Sequence, residues 1–398
     1  MKIPSSYRKI TQRAISNGVV AAWSSNELTD DCWDEFLKQT PLGQFQQSSM
    51  WAGAKHSDGW RPLRVIFTRE QGIVGGFQLL TKSSWWGALG YVSKGPVILP
   101  DEAGLSRFII DVLKKTASEQ RLWGLVVQPP DLCQGIGDHL AGEGFIPDVV
   151  SGVNEATWLI DFDGAGLGAV EGRMSRTTRR LVKQAKRLGV TIREGGREDL
   201  GAFFRLMSST CERQGVAPSP ANDRFLYALW DAAEAGGSMR LTFAESEGTR
   251  LSALVSILFG RTATLWKKGW TSTGGEYRPN DLMLYEMLEW AESKGFEVAD
   301  FTAFDVDIAL RLFKGEDLSS EQERSRHMFH MRFGGRPMAL PEARIYFPNP
   351  LVRWTYHVRF RKKIADRVKR HQLTAELRRS QSNLPTMEHC TRPGEGVG

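Results

Sequence analysis

The sequence predicts a mixed α/β protein in which one structural unit is used twice. Each half carries the pattern of a β-hairpin followed by a third strand, a helix and a fourth strand, in the same order. Over 398 residues, 41% are hydrophobic and 25% are charged, which is the balance of an ordinary globular chain. A chain of this length has room for two or three domains with sizeable cores.

The first copy of the unit begins with two β-rich runs, 63–68 and 73–80, which flank a short turn and predict a hairpin. A strand at 90–92 follows, and a helix over 101–120 is indicated by apolar residues at helical spacing. The apolar run 122–127 predicts a buried strand, which the two prolines after it bring to an end.

The second copy repeats these elements further along the chain. A hairpin, a strand, a helix and a strand are predicted at 241–259, 262–270, 281–294 and 296–303. Asn280 is a polar residue directly before the helix, so we expect it to act as the N-cap. Gly295 follows the last apolar position and is expected to end the helix.

A glycine-rich stretch at 161–172 separates the two copies, so the predicted domains are 1–165 and 166–347. Its GAGLGA run is not GxGxxG, and no acid follows at the distance that a dinucleotide site needs, so we predict an interdomain turn. The remaining segment, 348–398, is predicted to be a basic helix with interleaved aromatic residues and a disordered tail over 380–398.

Several classes of protein are disfavoured by the composition. No apolar run approaches the roughly 18 residues of a membrane span, and the apolar stretch near the N-terminus is short for a secretory signal. We therefore expect a cytoplasmic protein. The four cysteines form no CxxC pair, and His327 and His330 have no further ligand types nearby. We predict no metal site and take these histidines as structural residues of a strand.

The net charge of +6 is unevenly distributed. Residues 173–187 carry seven Lys or Arg and no acid, and residues 353–379 carry a surplus of eight positive charges, so the rest of the chain is acidic. Such patches meet phosphates of nucleic acids, nucleotide-linked substrates or anionic lipids. The first patch reads as a helix between Ser175 and Gly189, and either a solvated amphipathic helix or a phosphate-binding one fits it. The candidate contacts are Arg176, Arg179, Arg180 and Lys183.

Several blocks of the sequence together resemble a known family. TPLGQFQQSSMWAGAK at 40–55, followed by GGFQLL and GYVSKGPV, resembles the first domain of the FemABX family of aminoacyltransferases. RRLVKQAKRLGV, WAESKGFEVADF and LRLFKG resemble the second domain in the same order. The resemblance runs from about residue 35 to about residue 335.

The resemblance implies two tandem GNAT-like acyltransferase domains. It implies transfer of an amino acid from aminoacyl-tRNA to an amine of a diphosphate-linked peptidoglycan precursor, with no cofactor. By the same resemblance Phe313 and Lys314 lie at the reaction centre, where Lys314 stabilises the tetrahedral intermediate. The expected substrate-binding residues are Trp51, Lys55, Tyr91, Lys94, Lys267 and Asp300, together with the four basic helix residues.

The chain departs from the family pattern at three places. Gln128-Pro129-Pro130 replaces an Arg-x-acid-Pro pattern, Ser219 stands where a basic residue is expected, and Thr302-Ala303 replaces Gly-Gly after the last core strand. The acceptor therefore need not be the usual precursor. Two alternatives stay open.

One alternative is a BioF-like N-acyltransferase that uses acyl-CoA or a carrier protein and acts on a polysaccharide or secondary-metabolite amine. The R/Q-x-x-G-x-G/A turn that ordinary GNAT enzymes use for pyrophosphate is missing from the sequence. The other alternative is a non-enzymatic adaptor that contacts a membrane surface or nucleic acid through the basic C-terminal segment. A peripheral membrane contact through this segment is also compatible with the enzymatic hypothesis.

Overall fold

The computed structural model describes residues 5–16, 18–70, 72–85, 87–132, 135–162 and 167–381. Most of the tail predicted to be disordered, and residues 163–166 of the predicted interdomain turn, lie outside these ranges. Within them, no helix combines the length and the apolar character that crossing a membrane requires.

The described strands form two mixed sheets. In chain order they are β1 Arg8–Ile15, β2 Gly18–Ser25, β3 Arg61–Arg69, β4 Gly72–Ser84, β5 Gly87–Ser93, β6 Val97–Ile98, β7 Leu122–Gln128, β8 Ile146–Pro147, β9 Ala156–Asp161, β10 Thr191–Gly195, β11 Met239–Ser246, β12 Thr249–Phe259, β13 Thr262–Trp270, β14 Val298–Asp300, β15 Arg336–Ala339 and β16 Arg344–Tyr346.

The described α-helices cover the faces of these sheets or join their strands. They are α1 Asp31–Gln39, α2 Ser49–Ser57, α3 Ser106–Glu119, α4 Ile136–Gly142, α5 Leu167–Arg173, α6 Arg176–Arg187, α7 Leu200–Arg213, α8 Arg224–Ala233, α9 Pro279–Ser293, α10 Val306–Lys314, α11 Ser320–Glu323, α12 His327–Met331 and α13 Pro350–Gln381. Short 3-10 turns lie at Phe45–Gln47, Pro100–Leu105, Arg197–Asp199, Glu234–Gly236 and Gly275–Tyr277.

The predicted duplication is confirmed by the pairing of the strands. In the first sheet the order is β1-β2-β3-β4-β5-β7-β16-β8, and β5 pairs in parallel with β7 after the crossover through α3. In the second sheet the order is β10-β11-β12-β13-β14-β9-β15, and β13 pairs in parallel with β14 after α9. Each sheet therefore contains the predicted hairpin and two further strands, and the predicted helix connects those two strands.

The two sheets exchange strands across the predicted domain boundaries. Strand β9, placed in the first domain by a boundary at residue 165, pairs with β14 and β15 in the second sheet. Strand β16, placed in the second domain, returns to pair with β7 and β8 in the first sheet. The predicted boundaries at 165 and 347 therefore do not coincide with the limits of the two sheets. A strand added to an exposed sheet edge satisfies backbone groups that would otherwise be unpaired.

Two local predictions are wrong, and both concern helix ends or short helices. Asn280 is not the cap of α9, because that helix starts at Pro279 and Arg278 takes the cap position without a side-chain bond. Proline suits the first helical position because its missing N–H has no intrahelical partner there. The histidines expected in a strand lie in α12 instead. Glycines in the left-handed conformation follow α9 and α6 at Gly295 and Gly189, as predicted.

A hydrophobic cluster joins the two halves of the chain. Its buried members include Trp51 from α2 of the first half and Phe225 from α8 of the second half. The Trp51 ring meets the Phe225 ring edge-on at a centroid distance of 5.5 Å and the Trp266 ring at 5.9 Å. Helix α2 packs against α8. The relative position of the two halves is therefore fixed by a shared core.

Gly269 of β13 offers a test of the packing beneath the second sheet. A Cβ atom added there would lie 2.3 Å from the backbone nitrogen of Met207 in α7, and backbone atoms have no rotamer with which to move away. We expect Gly269→Ala to lower the free energy of unfolding by about 2–3 kcal/mol in urea titrations. Gly137→Ala is the control, because a Cβ at that helical position meets nothing within 4 Å. An equal effect of both substitutions would contradict the close packing of α7 on β13.

Candidate functional site

A cavity of about 380 Å³ lies where the two halves meet, and side chains of both halves line it. Six residues predicted from the sequence to bind substrate are among its lining, namely Trp51, Lys55, Tyr91, Lys94, Lys267 and Asp300. They come from helix α2, from strands β5, β13 and β14, and from the position directly after β5, which are distant in sequence. We call this space the first cavity.

Helix α2 presents one of the cations of the first cavity. The helix begins at Ser49 because the Ser48 side chain accepts a hydrogen bond from the Trp51 backbone N–H at 3.3 Å. Four residues after Trp51, on the same face of the helix, Lys55 reaches back over that ring. Its Nζ lies 5.1 Å from the Trp51 ring centroid, 5.3 Å from Phe225 and 5.9 Å from Trp60. Lys55 is thus held by cation–π contacts.

A second cation, Lys267 of β13, faces the same cavity, with its Nζ 5.4 Å from the Trp266 ring centroid. Burial lowers the pKa of Lys267, and burial also lowers the pKa of Lys55 despite the opposing attraction of Asp58. Lys267 itself adds to the downward shift of the Lys55 pKa. Two partly desolvated ammonium groups in one cavity attract an anion more strongly than surface lysines do, because the local dielectric constant is lower.

The end of strand β5 is fixed by a buried glutamine. Gln47 donates from its side-chain amide to the Ser93 carbonyl at 2.6 Å, next to Lys94, whose backbone is left-handed with a φ of 55°. The Lys94 ammonium forms an ion pair with Asp131, and both side chains are about nine-tenths buried. Gln44 in turn donates to Asp131 at 2.5 Å. The charge of Lys94 is therefore already matched within the protein.

Asp131 was not predicted from the sequence. The stretch that departs from the Arg-x-acid-Pro pattern ends at Pro130, and Asp131 directly follows it. The residue lines the first cavity and holds Lys94. An acid displaced across a Pro-Pro pair was the available signal.

A second cavity, of about 560 Å³, abuts the first. The two cavities share four lining residues, Trp266, Lys267, Thr302 and Ala303. Strand β13 bulges at Trp266, and its parallel pairing with β14 covers only Thr262 to Thr264. Strands β13 and β14 are not paired beyond that point. Groups bound in the two cavities could therefore meet beside the four shared residues, which we call the shared wall.

The shared wall contains strained backbone. Thr302 and Ala303 have φ angles of 56° and 30°, in the left-handed region that glycine adopts at little cost. Non-glycine residues hold such angles only where the surrounding structure imposes them, and they cluster at functional sites.

Comparison with known proteins supports this picture of two related halves. The FemAB family model matches residues 28–140, and the acetyltransferase (GNAT) domain model matches residues 172–307. The UDP-N-acetylmuramoylpentapeptide-lysine N(6)-alanyltransferase of Weissella viridescens is 26% identical over 301 residues, which are 71% of this chain and 87% of that enzyme. The lipid II:glycine glycyltransferase of Staphylococcus saprophyticus subsp. saprophyticus is 24% identical over 234 residues, 55% of each chain. The crystal structure of FemX aligns with a TM-score of 0.69 at 19% identity, covering 81% of this chain and 97% of that one.

These matches support the resemblance of the chain to the FemABX family. Its fold is the predicted pair of tandem GNAT-like domains. The match spans most of the Weissella enzyme but only about half of the staphylococcal one.

The pair implied by the FemABX resemblance, Phe313 and Lys314, lies away from the shared wall. Both residues end helix α10, and they are not among the described residues that line either cavity. The Lys314 side chain is 35% exposed, and its Nζ lies 3.8 Å from a Glu316 carboxylate oxygen. Phe313 packs against the core of the second half. The structure therefore does not bring this pair to the cavities.

A different phenylalanine with a titratable neighbour lines the second cavity. Phe329 and His330 lie on α12, and the Nζ atom of Lys268 is 4.3 Å from the Phe329 ring centroid. Burial, reinforced by the charge of Lys268, lowers the pKa of His330 to about 3, so its imidazole is neutral at ordinary pH. A neutral imidazole can still donate one hydrogen bond. This pair is visible in the sequence as the HMFH segment, whose histidines were predicted to be structural.

The four candidate phosphate contacts of α6 are not among the described lining residues of either cavity. The Ser175 side chain caps the helix as predicted, and Arg176, Arg180 and Lys183 are exposed. Arg179 is half-buried and donates to the Glu171 carbonyl at 3.4 Å. These residues form a basic outer surface of the second half. Among the described residues, no three His, Cys, Asp or Glu side chains group closely enough to hold a metal ion.

Asp300, which lines the first cavity, makes a pH-dependent contribution to the free energy of unfolding of the protein. Burial raises its pKa to about 6, although the Thr157 hydroxyl and the Thr302 N–H, at 2.7 Å, both donate to the carboxylate. A raised pKa means that the folded state binds the proton more tightly than the unfolded state. The stabilising contribution is therefore full below about pH 4 and is lost as the pH rises through about 6.

We expect Asp300→Asn to remove this dependence. The difference in unfolding free energy between the unmodified protein and the variant should change by about 2–3 kcal/mol between about pH 4 and about pH 7, with the unmodified protein relatively more stable at the lower pH. Urea titrations at both pH values measure it. A difference that does not vary with pH would show that Asp300 is ionised in the folded protein throughout this range.

Proposed function

We propose that this protein is a member of the FemABX family and a cytoplasmic N-acyltransferase that moves an aminoacyl group from aminoacyl-tRNA to an amine of a peptidoglycan precursor. One observation carries the proposal. The two cavities share a wall at Trp266–Lys267 and Thr302–Ala303, where strands β13 and β14 are no longer paired. Two relatives are named as a UDP-N-acetylmuramoylpentapeptide-lysine N(6)-alanyltransferase and a lipid II:glycine glycyltransferase, which supports this choice.

The transfer reaction requires few catalytic side chains. The neutral acceptor amine attacks the ester carbonyl of the donor, a C–N bond forms, and the bond from the carbonyl carbon to the tRNA oxygen breaks. The amine loses a proton and the departing oxygen gains one, so the reaction needs no oxidant or cofactor. Holding the amine and the ester in contact supplies much of the rate, and a cation or hydrogen-bond donor stabilises the developing oxyanion.

Lys267 is our choice for the oxyanion-stabilising cation. Among the residues that the structure describes, Lys267 is the one Lys or Arg that lines both cavities, so it faces the place where amine and ester would meet. Lys268 and the neutral His330 line the donor side, where either could donate to the acyl group. This assignment replaces Lys314, whose side chain pairs with Glu316 outside the cavities.

The first cavity is proposed to hold the acceptor, which we take to be a diphosphate-linked precursor. Lys55 offers the phosphates a partly desolvated cation, whereas Lys267, at the shared wall, is assigned to the reacting acyl group. Lys94 is neutralised by Asp131, so we give it the role of shaping the cavity floor instead of binding phosphate. The second cavity is proposed to hold the aminoacyl end of tRNA, and the exposed face of α6 its backbone phosphates.

Transfer from acyl-CoA or an acyl carrier is the second candidate, because the match at residues 172–307 is to an acetyltransferase domain model. A donor assay distinguishes the two. The purified chain is offered alanyl-tRNA, glycyl-tRNA or acetyl-CoA with a nucleotide-linked or lipid-linked muropeptide, and the products are identified by mass spectrometry. We expect an aminoacylated muropeptide from charged tRNA. Acylation from acetyl-CoA with none from charged tRNA would overturn the proposal.

Kinetics of lysine variants test the position of the reaction centre. We expect Lys267→Ala to lower kcat by about 10²–10³-fold, which is typical of the loss of one oxyanion-stabilising group. Lys314→Ala is expected to stay within about threefold of the unmodified enzyme, as is the control Lys294→Ala at an exposed helix end. Loss of activity in Lys314→Ala with retention in Lys267→Ala would return the reaction centre to the position implied by the resemblance.

The basic face of α6 is tested through the salt dependence of tRNA binding. Replacing the exposed Arg180 and Lys183 by alanine removes two phosphate contacts. The slope of log Kd against log salt should therefore fall by about 1–2, and binding should weaken. Filter binding with uncharged tRNA at several salt concentrations measures both. An unchanged slope would leave α6 as a solvated helix.

A further inference from the structure

Helix α13 is anchored to the body of the protein along one face. Tyr356 and Ile364 are buried there, and the Tyr356 hydroxyl accepts a hydrogen bond from the Val149 N–H at 2.9 Å. Arg367 and Arg370 form ion pairs with Glu155, the latter at 3.3 Å. The helix kinks near Phe360, where φ is −113°, without leaving the surface. Its outward face therefore has a fixed orientation.

The first three turns of α13 expose an apolar stripe. Leu351, Trp354 and Val358 are 72%, 66% and 58% exposed. Their spacing of three and four residues places them on one side of the helix, opposite the buried Tyr356. Large apolar side chains exposed together mark a contact surface, whereas single ones are ordinary.

Cations surround this stripe. The exposed ones are Arg353, Arg359, Arg361, Lys362, Lys363 and Lys369. Asp366 is the one acid among the side chains of α13 that the structure describes. A helix with an exposed tryptophan and aliphatic residues, bordered by Lys and Arg, has the character of a segment that lies in the interface of an anionic membrane.

We propose that α13 docks this protein on an anionic lipid surface. Leu351, Trp354 and Val358 enter the headgroup region, and the surrounding cations meet lipid phosphates. RNA is a poorer match, because phosphates and bases leave exposed Leu and Val side chains without a role. A second copy is also a poorer match, because it would bring two sets of like charges together. The surface lies apart from both cavities, so the proposal holds whichever amine is acylated.

Co-sedimentation of the full chain with lipid vesicles tests the proposal. One set of vesicles contains phosphatidylcholine with phosphatidylglycerol, and the other contains phosphatidylcholine alone. The apolar variant carries Leu351→Ser, Trp354→Ser and Val358→Ser, and the charge variant carries Arg361→Glu, Lys362→Glu and Lys363→Glu. A control with the same change of charge carries Arg180→Glu, Lys183→Glu and Arg187→Glu on α6. All nine side chains are exposed, so the variants should fold, which circular dichroism checks.

We expect binding to the phosphatidylglycerol vesicles that falls by about tenfold or more in both α13 variants and by less than about threefold in the α6 control. Absence of vesicle binding, or an equal loss in the α6 control, would overturn the proposal. So would a dimer, seen by sedimentation velocity, that the apolar variant dissociates. Binding of a single-stranded RNA that depends on the apolar stripe would overturn it in favour of a nucleic-acid surface.

Discussion

The packing of Trp51 against Phe225 and Trp266 is the interaction on which the site depends. These three rings belong to the first and second halves of the chain and lie in one buried cluster. Because residues of both halves line the first cavity, a rotation of one half against the other would separate Lys55 from Lys267. The aromatic contacts therefore do two things at once. They bury apolar surface between the halves, and they hold Lys55 over three rings at the mouth of the first cavity.

The second constraint is the separation of β13 from β14. Three residue pairs join these strands, and beyond them β13 bulges at Trp266 while the chain after β14 passes through two left-handed residues, Thr302 and Ala303. The gap leaves one wall between two cavities, which suits a transfer between two large substrates that each need their own binding surface. A chain that reacts an amine with an activated ester needs alignment more than strong acids or bases. The lowered pKa of Lys267 and the neutral state of His330 both follow from enclosing such a wall away from water.

Much of the fold and several residues of the site could be predicted, because they depend on local sequence patterns. Alternating and helical periodicities predicted both copies of the unit. The blocks that resemble the family contain five of the six predicted side chains that meet in the first cavity, and the sixth, Lys267, lies on a predicted strand. The predictions that were wrong concern features that depend on pairing between residues distant in sequence. The local sequences of β9 and β16 do not indicate which sheet each strand joins, since both strands are short and either sheet edge would satisfy their backbone groups. Likewise, LRLFKG and HMFH both place a phenylalanine before a titratable residue, and only the fold shows that the second pair lines a cavity. Asp131 was hidden because the two prolines moved the acid along the chain.

The central claim is that the two substrates occupy separate cavities and react across the Trp266–Lys267 wall. A crystal structure of the protein with a nucleotide-linked muropeptide and a non-hydrolysable aminoacyl-adenosine analogue tests it most directly. The account predicts the diphosphate beside Lys55, the analogue in the second cavity, and the acceptor amine about 3–3.5 Å from the acyl carbon next to Lys267. Both ligands in the same cavity, or an acyl carbon placed beside Lys314, would contradict it.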